Sequence, residues 1–440
     1  MKVFFKKLLC CMLAILMLLT MLAACGKEEE EIATDTEPEE TTEEKEAGNP
    51  LLAPAFTETS LCFFDGDPYI SYITYNGYNN PIEERAVSVL DVGIELITRY
   101  QYDNDGLLTK VECNTYEYSY GYGEASPYYA VEYTIENGQY SSNAVYTSGD
   151  TKPQEELTSA VEYYDNGIIK KWSISMTDNS EFAMIIERDS IGRRTLYTDE
   201  DGTKVTYTYT SDSREISGCT LVDGENSIIV PIEYTDKSIS KITLDYSSET
   251  SNDCYSFDIA HTQDGKGLAK VTVNSYEENE LCDQYSIEYS RNEAGLYSEI
   301  KYTEYENATA SDYEVYEFIY NSDNFVTKKT ETSYNQAGEK QQYSIMEIEY
   351  DSNENITKTV AKSYNGDGSF KSHSETVYEY VGEGLKSKVT SCRYNVDGKL
   401  TSKIIREYEY DSNGEQTKYR YTEYDGEGNI TEQFEHPDNN

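Results

Sequence analysis

Apolar and polar residues alternate with a period of two in short runs along most of the chain, starting near Leu51. The runs are rich in Tyr, Thr and Val, and clusters of Asp, Asn and Gly interrupt them every 12 to 16 residues. A period of two places successive side chains on opposite faces of a strand, and such interruptions are typical of tight turns. The pattern predicts an all-β chain of many antiparallel strands.

Two interleaved series of tyrosines repeat every 30 residues in the C-terminal part. The first series is Tyr320, Tyr350, Tyr380 and Tyr410, and the second is Tyr334, Tyr364, Tyr394 and Tyr424. A glycine follows each tyrosine of the second series four residues later, at Gly338, Gly368, Gly398 and Gly428. The fourth residue after the first series is Asn324, Gly384 or Gly414, and Glu354 is the exception to this preference for Gly or Asn. Because Gly tolerates the positive φ of tight turns, each 30-residue unit is predicted to hold two strands and two turns. The units therefore form a repetitive antiparallel β-meander.

The strands before the first-series turns are predicted to have two unlike faces. One face carries Tyr350, Tyr378, Tyr380, Tyr408 and Tyr410, and the other carries Glu347, Glu349, Glu379, Glu407 and Glu409. The glutamate face is expected to be acidic and solvated. The tyrosine face must be covered by curling or spiralling of the sheet, or must bind a ligand, so these five tyrosines form a candidate ligand face.

The N-terminus predicts a secretion signal over residues 1–24, in which three lysines precede the apolar stretch from Leu8 to Met21. The run Leu22-Ala23-Ala24-Cys25-Gly26 is similar to the bacterial lipobox, in which the signal is cleaved before the cysteine and that cysteine receives the lipid. Cys25 is therefore the predicted lipid-attachment residue, with an uncleaved apolar anchor as the alternative. Residues 25–50 are acidic, lack apolar periodicity and predict a disordered tether. We expect a lipid anchor on the extracellular face of a bacterial cell membrane.

The remaining chain is predicted to divide into three parts. Residues 51–98 are less repetitive and are expected to be capping strands that protect the edge of an array over 99–431. Residues 432–440 are expected to be a tail.

Composition limits the classes of partner that the chain can bind. The chain has 36 Lys and Arg against 82 Asp and Glu, a net charge of -46, so nucleic acid and anionic lipid are repelled. Aromatic residues make up 13% of the 440 residues, with 44 Tyr and one Trp, which is too many for a disordered chain.

The segment 188–210, RDSIGRRTLYTDEDGTKVTYTYT, resembles a YD repeat of the RHS family. Similar runs start at Tyr102, Tyr164, Tyr410 and Tyr424. The resemblance implies a repetitive β-sheet that can spiral into a shell in secreted and surface proteins, and it transfers no catalytic residue. RHS toxins carry a C-terminal effector, whereas here the repeats continue to Ile430, so an encapsulated toxin is not expected.

Residues typical of catalysis are scarce, so the chain is predicted not to be an enzyme and to hold no cofactor. His261, His373 and His436 are the only histidines, and no G-x-S-x-G run occurs. Asp-rich turns at 103–106, 199–202 and 365–368 offer oxygen ligands for weak Ca²⁺ binding, although none has the EF-hand pattern, and plain hairpin turns are the alternative.

Six cysteines remain beyond Cys25, and free buried thiols or one or two disulfides fit them equally. The absence of C-x-x-C there disfavours structural zinc. Trp172 is either a core residue or a platform that stacks on sugar rings, and it joins the candidate ligand face on the second interpretation.

The sequence as a whole favours a lipid-anchored extracellular repeat protein that acts as a binding or adhesive surface, for carbohydrate, another cell-envelope polymer or a surface protein. A structural spacer without a specific ligand is one alternative. A glycan hydrolase with a pair of carboxylates in a groove of the sheet is the other.

Overall fold

The computed structural model describes residues 53–64, 67–118, 125–147, 153–177, 182–199, 202–211, 213–223, 226–246, 253–278, 280–382, 384–411 and 416–437. These residues form 29 strands in three antiparallel sheets, which confirms the predicted all-β meander. None of them forms a helix of the length and hydrophobicity needed to span a membrane. The predicted signal, Cys25 and the tether lie outside the described residues.

Each sheet is a meander, because every strand pairs with the next strand in chain order. The N-terminal sheet contains β1 (Pro54–Phe64), β2 (Asp67–Asn76), β3 (Pro81–Ser88), β4 (Ile94–Tyr102), β5 (Leu108–Glu117), β6 (Ala125–Glu136) and β7 (Gln139–Thr147). The middle sheet contains β8 (Leu157–Tyr163), β9 (Ile169–Met176), β10 (Phe182–Arg188), β11 (Arg194–Thr198), β12 (Lys204–Tyr209), β13 (Ile216–Asp223) and β14 (Asn226–Val230).

The C-terminal sheet has fifteen described strands and contains the 30-residue units. It contains β15 (Ile232–Thr235), β16 (Ser238–Asp245), β17 (Asp253–His261), β18 (Leu268–Glu277), β19 (Glu280–Arg291), β20 (Tyr297–Glu306), β21 (Thr309–Tyr320), β22 (Val326–Tyr334), β23 (Lys340–Tyr350), β24 (Ile356–Asn365), β25 (Phe370–Val381), β26 (Leu385–Tyr394), β27 (Leu400–Tyr410), β28 (Gln416–Asp425) and β29 (Ile430–Pro437).

The three sheets share one hydrophobic core, which the N-terminal sheet, the middle sheet and the first strands of the C-terminal sheet enclose. Phe63 and Ile70 of the N-terminal sheet, Leu221 of the middle sheet and Ile242 and Phe257 of the C-terminal sheet are all fully buried in it. Apolar side chains that alternate with polar ones along each strand form this core, as the period of two requires. The meander therefore curls around its own apolar face.

The C-terminal sheet continues as a single layer beyond this core. After Ile356, the buried residues of the described part are Thr359, Leu385, Val389 and Thr422 alone. Apart from these four residues, the described side chains of these strands are half-exposed or exposed.

The turns after Tyr320 and Tyr350 share one geometry. Asn321 Oδ1 accepts hydrogen bonds from the backbone N–H of Asp323 at 3.0 Å and of Phe325 at 2.9 Å. Asn324 then adopts a φ of +69°, and Glu354, at the equivalent position of the next unit, adopts +68°. The Asp or Asn after the tyrosine thus holds the turn, and the position that favours Gly is left-handed even where Glu occupies it.

Two predicted boundaries do not coincide with structural ones. Position 98 lies inside β4, and β1 to β4 belong to the same sheet as β5 to β7. The capping role of residues 51–98 stays a prediction. Residues 432–437 of the predicted tail belong to β29, which extends the meander. Strand pairing, which sequence repetition does not reveal, sets the limits of a sheet.

Candidate functional site

The five tyrosines of the candidate ligand face do lie together on one face of the single layer, which we call the tyrosine face. Each of them is half-exposed. They are Tyr350 on β23, Tyr378 and Tyr380 on β25, and Tyr408 and Tyr410 on β27.

The first-series tyrosines of this face are fixed by hydrogen bonds to the neighbouring strand. The hydroxyl of Tyr350 donates to the carbonyl of Val326 at 2.9 Å, that of Tyr380 to Ile356 at 2.7 Å, and that of Tyr410 to Lys386 at 2.9 Å. Because each ring must span the gap between two strands to reach its acceptor, it lies over the sheet instead of standing away from it. One flat side of each ring therefore faces outward.

Tyr378 and Tyr408, the other two tyrosines, contact side chains of neighbouring strands. Tyr408 lies 5.4 Å from Tyr419 between ring centroids, and burial raises the pKa of Tyr408 to about 12. The Lys386 ammonium lies 5.1 Å from the ring of Tyr378. At neutral pH these rings are neutral phenols with one polar atom each, which suits them to bind polar rings by stacking.

A shallow pocket of about 330 Å³ lies on the same strands of the tyrosine face. Four serines line it: Ser333, Ser344, Ser363 and Ser372. Ser344 pairs with Ser363, and Ser363 pairs with Ser372, so their hydroxyls form a row across three strands. Its serines lie six residues from Tyr350 on β23 and from Tyr378 on β25, about 20 Å along the strands, so the pocket is separate from the rings of the tyrosine face.

Trp172 does not belong to this face, and its interpretation as a sugar platform is corrected by its position. The side chain is 2% exposed, its Nε1 donates to the Tyr133 hydroxyl at 2.8 Å, and its ring stacks on Tyr129. The residue packs in the core because β9 places it on the inner face of the middle sheet, and its one polar atom is satisfied there.

The opposite face, which we call the paired face, is more balanced in charge than the sequence indicated. Lysines of the 30-residue repeat stand opposite glutamates of adjacent strands, with N–O distances of 3.2 Å for Lys358–Glu375 and 3.8 Å for Lys388–Glu379. These pairs form a ladder, and half-exposed pairs of this kind each contribute about 0–1 kcal/mol. The expectation of a purely acidic face is therefore corrected.

The second tyrosine series lies on the paired face and forms stacked cross-strand pairs, which the sequence did not predict. Tyr313 stacks on Tyr334 at 4.6 Å between centroids, and Tyr343 stacks on Tyr364 at 4.7 Å. His373 takes the same position against Tyr394, at 4.2 Å. The recurrence of an aromatic residue at 313, 343 and 373 was the available signal.

A buried charged cluster joins the N-terminal and middle sheets. Arg194 Nη2 donates to Glu84 Oε2 at 2.5 Å, and the Ser71 hydroxyl donates to Glu84 Oε1 at 2.8 Å. Burial alone would raise the pKa of Glu84, but Arg194 and Ser71 outweigh it, and the net shift is downward. The cluster is enclosed by core residues, so it serves to fix the two sheets and not to meet a ligand.

A cleft of about 660 Å³ lies between strands β1 to β3 and two turns of the C-terminal sheet. Tyr72 and Arg85 line one wall, and Asp264 and Arg291 belong to the other. The Thr262 hydroxyl and the Lys266 N–H bond the Asp264 carboxylate and lower its pKa. A hydrolytic general acid needs a raised pKa, so Asp264 does not provide the acid of the hydrolase alternative.

The predicted calcium turns use their carboxylates internally. Asp103 Oδ1 accepts the N–H of Asp105 and of Leu107, and Asp367 Oδ1 accepts the N–H of Ser369. Among the described residues, no group of three or more His, Cys, Asp or Glu is arranged to hold a metal ion. Weak calcium binding stays a prediction.

All six cysteines from Cys62 to Cys392 are described as free thiols. Cys62, Cys113 and Cys219 are buried, and burial raises the pKa of each to about 12. Of the two possibilities, free thiols or disulfides, the structure has free thiols. The three buried cysteines are core residues without thiolate reactivity.

No model of a known protein family and no curated protein matches the chain. A crystal structure of TcdB2-TccC3 without its hypervariable C-terminal region matches 87% of this chain and 26% of that one, at 12% identity and a TM-score of 0.30. TcdB2-TccC3-Cdc42 matches 86% of this chain and 27% of that one, at 11% identity and a TM-score of 0.27.

A porin-like protein from Bacteroides vulgatus matches 49% of this chain and 95% of that one, at 12% identity and a TM-score of 0.22. The chain spans about a quarter of the length of the TcdB2-TccC3 chains. Likenesses of this size show no function for this chain.

Proposed function

We propose that the chain is a lipid-anchored protein of the bacterial cell surface, attached through Cys25, whose tyrosine face binds an extended neutral polysaccharide of the cell envelope. The observation that carries the proposal is the hydrogen bond from each hydroxyl to a carbonyl of the neighbouring strand, which fixes the rings of Tyr350, Tyr380 and Tyr410. Flat, immobilised rings suit stacking on sugar rings, because little side-chain freedom is lost when the sugar binds.

The spacing of these rings supports a linear polymer. The three tyrosines lie on alternate strands, β23, β25 and β27, so successive rings are two strand spacings apart, about 9.5 Å. That distance is close to the length of two sugar rings in an extended β-1,4-linked chain. One ring would then meet every second sugar of a polysaccharide that runs across the strands.

Charge supports the same ligand class. A chain with a net charge of -46 repels polyanions but exerts no such force on a neutral polymer.

The repeated turn supports a relation to the YD repeats of the RHS family. In the units of Tyr320 and Tyr350, the tyrosine is fixed to a neighbouring carbonyl, an Asn or Asp bonds the turn, and the fourth residue is left-handed. We infer that this chain uses the YD-type unit as a scaffold, with a curled core and an open, ligand-binding end.

A polysaccharide array probed with the intact chain tests the proposal. Neutral β-1,4-linked polymers are expected to bind, and binding should strengthen steeply from two to six sugars, because each further pair of sugars engages another tyrosine. No binding to any polysaccharide at high protein concentration would favour the spacer interpretation. Cleavage of the bound polymer would favour the hydrolase.

A further inference from the structure

Arg406 lies among the tyrosines of the tyrosine face. It precedes Tyr408 on β27 by two residues, so the two side chains share that face. Across the strands, Arg406 pairs with Val389 on β26, and Val389 pairs with Tyr378 on β25. Between Cα atoms, Arg406 is therefore about 9.5 Å from Tyr378 across the sheet and about 7 Å from Tyr408 along the strand.

The 30-residue repeat does not account for an arginine at this position. The residues 30 and 60 positions earlier are Thr376 and Met346. Thr376 pairs with Thr359 and Met346 with Lys329, in the same register as Arg406 with its neighbour. The strands therefore form without a guanidinium here, and Arg406 is a feature of a single unit.

Arg406 makes no hydrogen bond and no ion pair with the described part of the chain. Its Nε is buried without a hydrogen-bond partner, and its guanidinium lies 5.8 Å from the centre of the Tyr421 ring. By contrast, Arg420 on the paired face bonds Glu407 and Glu435, each at 3.1 Å. A half-buried charge without a partner costs free energy, so the donors of Arg406 favour an acceptor from outside the chain.

The charges around Arg406 favour a neutral acceptor over an anion. Glu423 on β28 and Glu432 on β29 stand opposite each other on the same face, and Glu423 Oε2 accepts the Tyr421 hydroxyl at 3.1 Å. Lys386 adds a second cation beside the tyrosines. Two positive and two negative charges leave no excess that would attract an anion, whereas a carbonyl oxygen accepts the hydrogen bonds of a guanidinium without carrying a charge.

Apolar side chains flank the guanidinium. Val389 is buried beside it, and Ile404 is half-buried two residues earlier on β27. The ring of Tyr421 stacks on that of Phe434 at 4.8 Å between centroids. A ligand group that joins a carbonyl to a methyl fits these surroundings, because the methyl packs on apolar atoms while the carbonyl accepts from the guanidinium. The acetamido group of an N-acetylated amino sugar has both parts.

We propose that Arg406 binds the acetamido carbonyl of an N-acetylhexosamine, and that the polysaccharide on the tyrosine face is a β-1,4-linked polymer of such sugars. The inference rests on the proposed function, since the tyrosine face must hold the sugar chain beside Arg406. A polymer of N-acetylated sugars is neutral, as the charge of the chain requires. Arg406 then sets the specificity, because a glucose polymer of the same linkage lacks both the carbonyl and the methyl.

Calorimetric titration of the intact chain with two hexasaccharides tests the inference. The β-1,4-linked hexamers of N-acetylglucosamine and of glucose have the same length, linkage and charge and differ in the acetamido group. We expect the N-acetylglucosamine hexamer to bind at least about tenfold more tightly. Equal or tighter binding of the glucose hexamer would overturn the role of Arg406 and leave the tyrosine face as a binding surface. If neither hexamer binds, the proposed function fails and the inference fails with it.

Variants assign the specificity to the guanidinium. Arg406→Gln is expected to weaken binding of the N-acetylglucosamine hexamer at least about tenfold and to leave that of the glucose hexamer unchanged. Arg406→Lys should lose less, because it keeps a charged donor. The matched control is Arg420→Gln, which removes a guanidinium from the paired face of the neighbouring strand and should change neither affinity. An equal loss for both hexamers in Arg406→Gln, or the same loss in the control, would contradict the assignment.

Discussion

The hydroxyl of Tyr380 donates a hydrogen bond of 2.7 Å to the carbonyl of Ile356, which begins the neighbouring strand. The same bond joins Tyr350 to Val326 and Tyr410 to Lys386, in each case across 24 residues. It explains why tyrosine, and not phenylalanine, recurs every 30 residues, because the hydroxyl ties each unit to the strand before it. The same bond turns the ring flat, so one contact serves both the scaffold and the proposed ligand face.

Tyr380→Phe is expected to lower the free energy of unfolding by about 0.5–1.5 kcal/mol, since it removes one hydrogen bond and keeps the ring. Urea denaturation followed by circular dichroism measures the change. Tyr364→Phe is the control, because the contact of Tyr364 is a ring stack on Tyr343 that survives the substitution. Equal effects of the two substitutions would show that the Tyr380 hydroxyl has no special role.

Glu354→Gly is expected to stabilise the chain by about 0.5–1 kcal/mol. Glu354 has a φ of +68°, a conformation that costs an L-residue energy and glycine almost none. Gly338→Ala is the reverse change, at a φ of +76°, and should destabilise by a similar amount. Thermal melts of both variants check the pair, and a lower melting temperature for Glu354→Gly would refute the explanation from backbone conformation.

Glu84→Gln is expected to destabilise the chain by about 3–5 kcal/mol, because Arg194 is then left as a buried charge without its counter-ion. Glu162→Gln breaks an ion pair with Lys170 in which both side chains are about half-exposed, and should cost about 0–1 kcal/mol. Chemical denaturation compares the two. A small effect at Glu84 would mean that the cluster does not hold the N-terminal and middle sheets together.

His261 is expected to make stability depend on pH. Its Nδ1 lies 2.7 Å from the Tyr72 hydroxyl, its Nε2 lies 2.7 Å from the Ile239 carbonyl, and burial lowers its pKa, although the Ile239 contact opposes the shift. A histidine whose pKa is lower in the folded state binds fewer protons there than when unfolded. Its stabilisation is therefore complete above the unfolded pKa of about 6.5 and is lost as the pH falls toward the folded value.

The measurement is the difference in unfolding free energy between the wild type and His261→Gln as a function of pH. The wild type should lose more stability than the variant between pH 7 and pH 5. Parallel curves for the two proteins would show that the link between Tyr72 and His261 does not titrate.

The strands, the turns and the tyrosine face could be predicted from the sequence because each depends on residues close together in the chain. The period of two places Tyr378 and Tyr380 on one face, and the 30-residue repeat places the turns. The pairs between sheets could not be predicted: Glu84 and Arg194 are 110 residues apart, and Glu95 and Tyr297 are 202 apart. Those contacts depend on how the meander curls, which no local pattern encodes.

The stacked pairs of the paired face lie between these two cases. Tyr343 and Tyr364 belong to repeats that are visible in the sequence, but their contact depends on the register of β23 and β24. The sequence did not decide whether Trp172 is a core residue or a sugar platform. Its exposure decides between the two, and exposure is a property of the folded middle sheet.

The most direct test of the account is a comparison of the two faces of the single layer in polysaccharide binding. The double variant Tyr380→Ala and Tyr410→Ala removes two rings of the tyrosine face, and Tyr394→Ala with Tyr424→Ala removes two rings of the paired face from directly neighbouring strands. Circular dichroism first establishes that both variants retain their strands, and the dissociation constant of each is then measured against the polymer that the wild type binds.

The account predicts that the first variant loses at least about tenfold in affinity, roughly 1.4 kcal/mol, while the second binds as the wild type does. An equal loss in the two variants, or unchanged binding by the first, would contradict the claim that the tyrosine face is the binding surface.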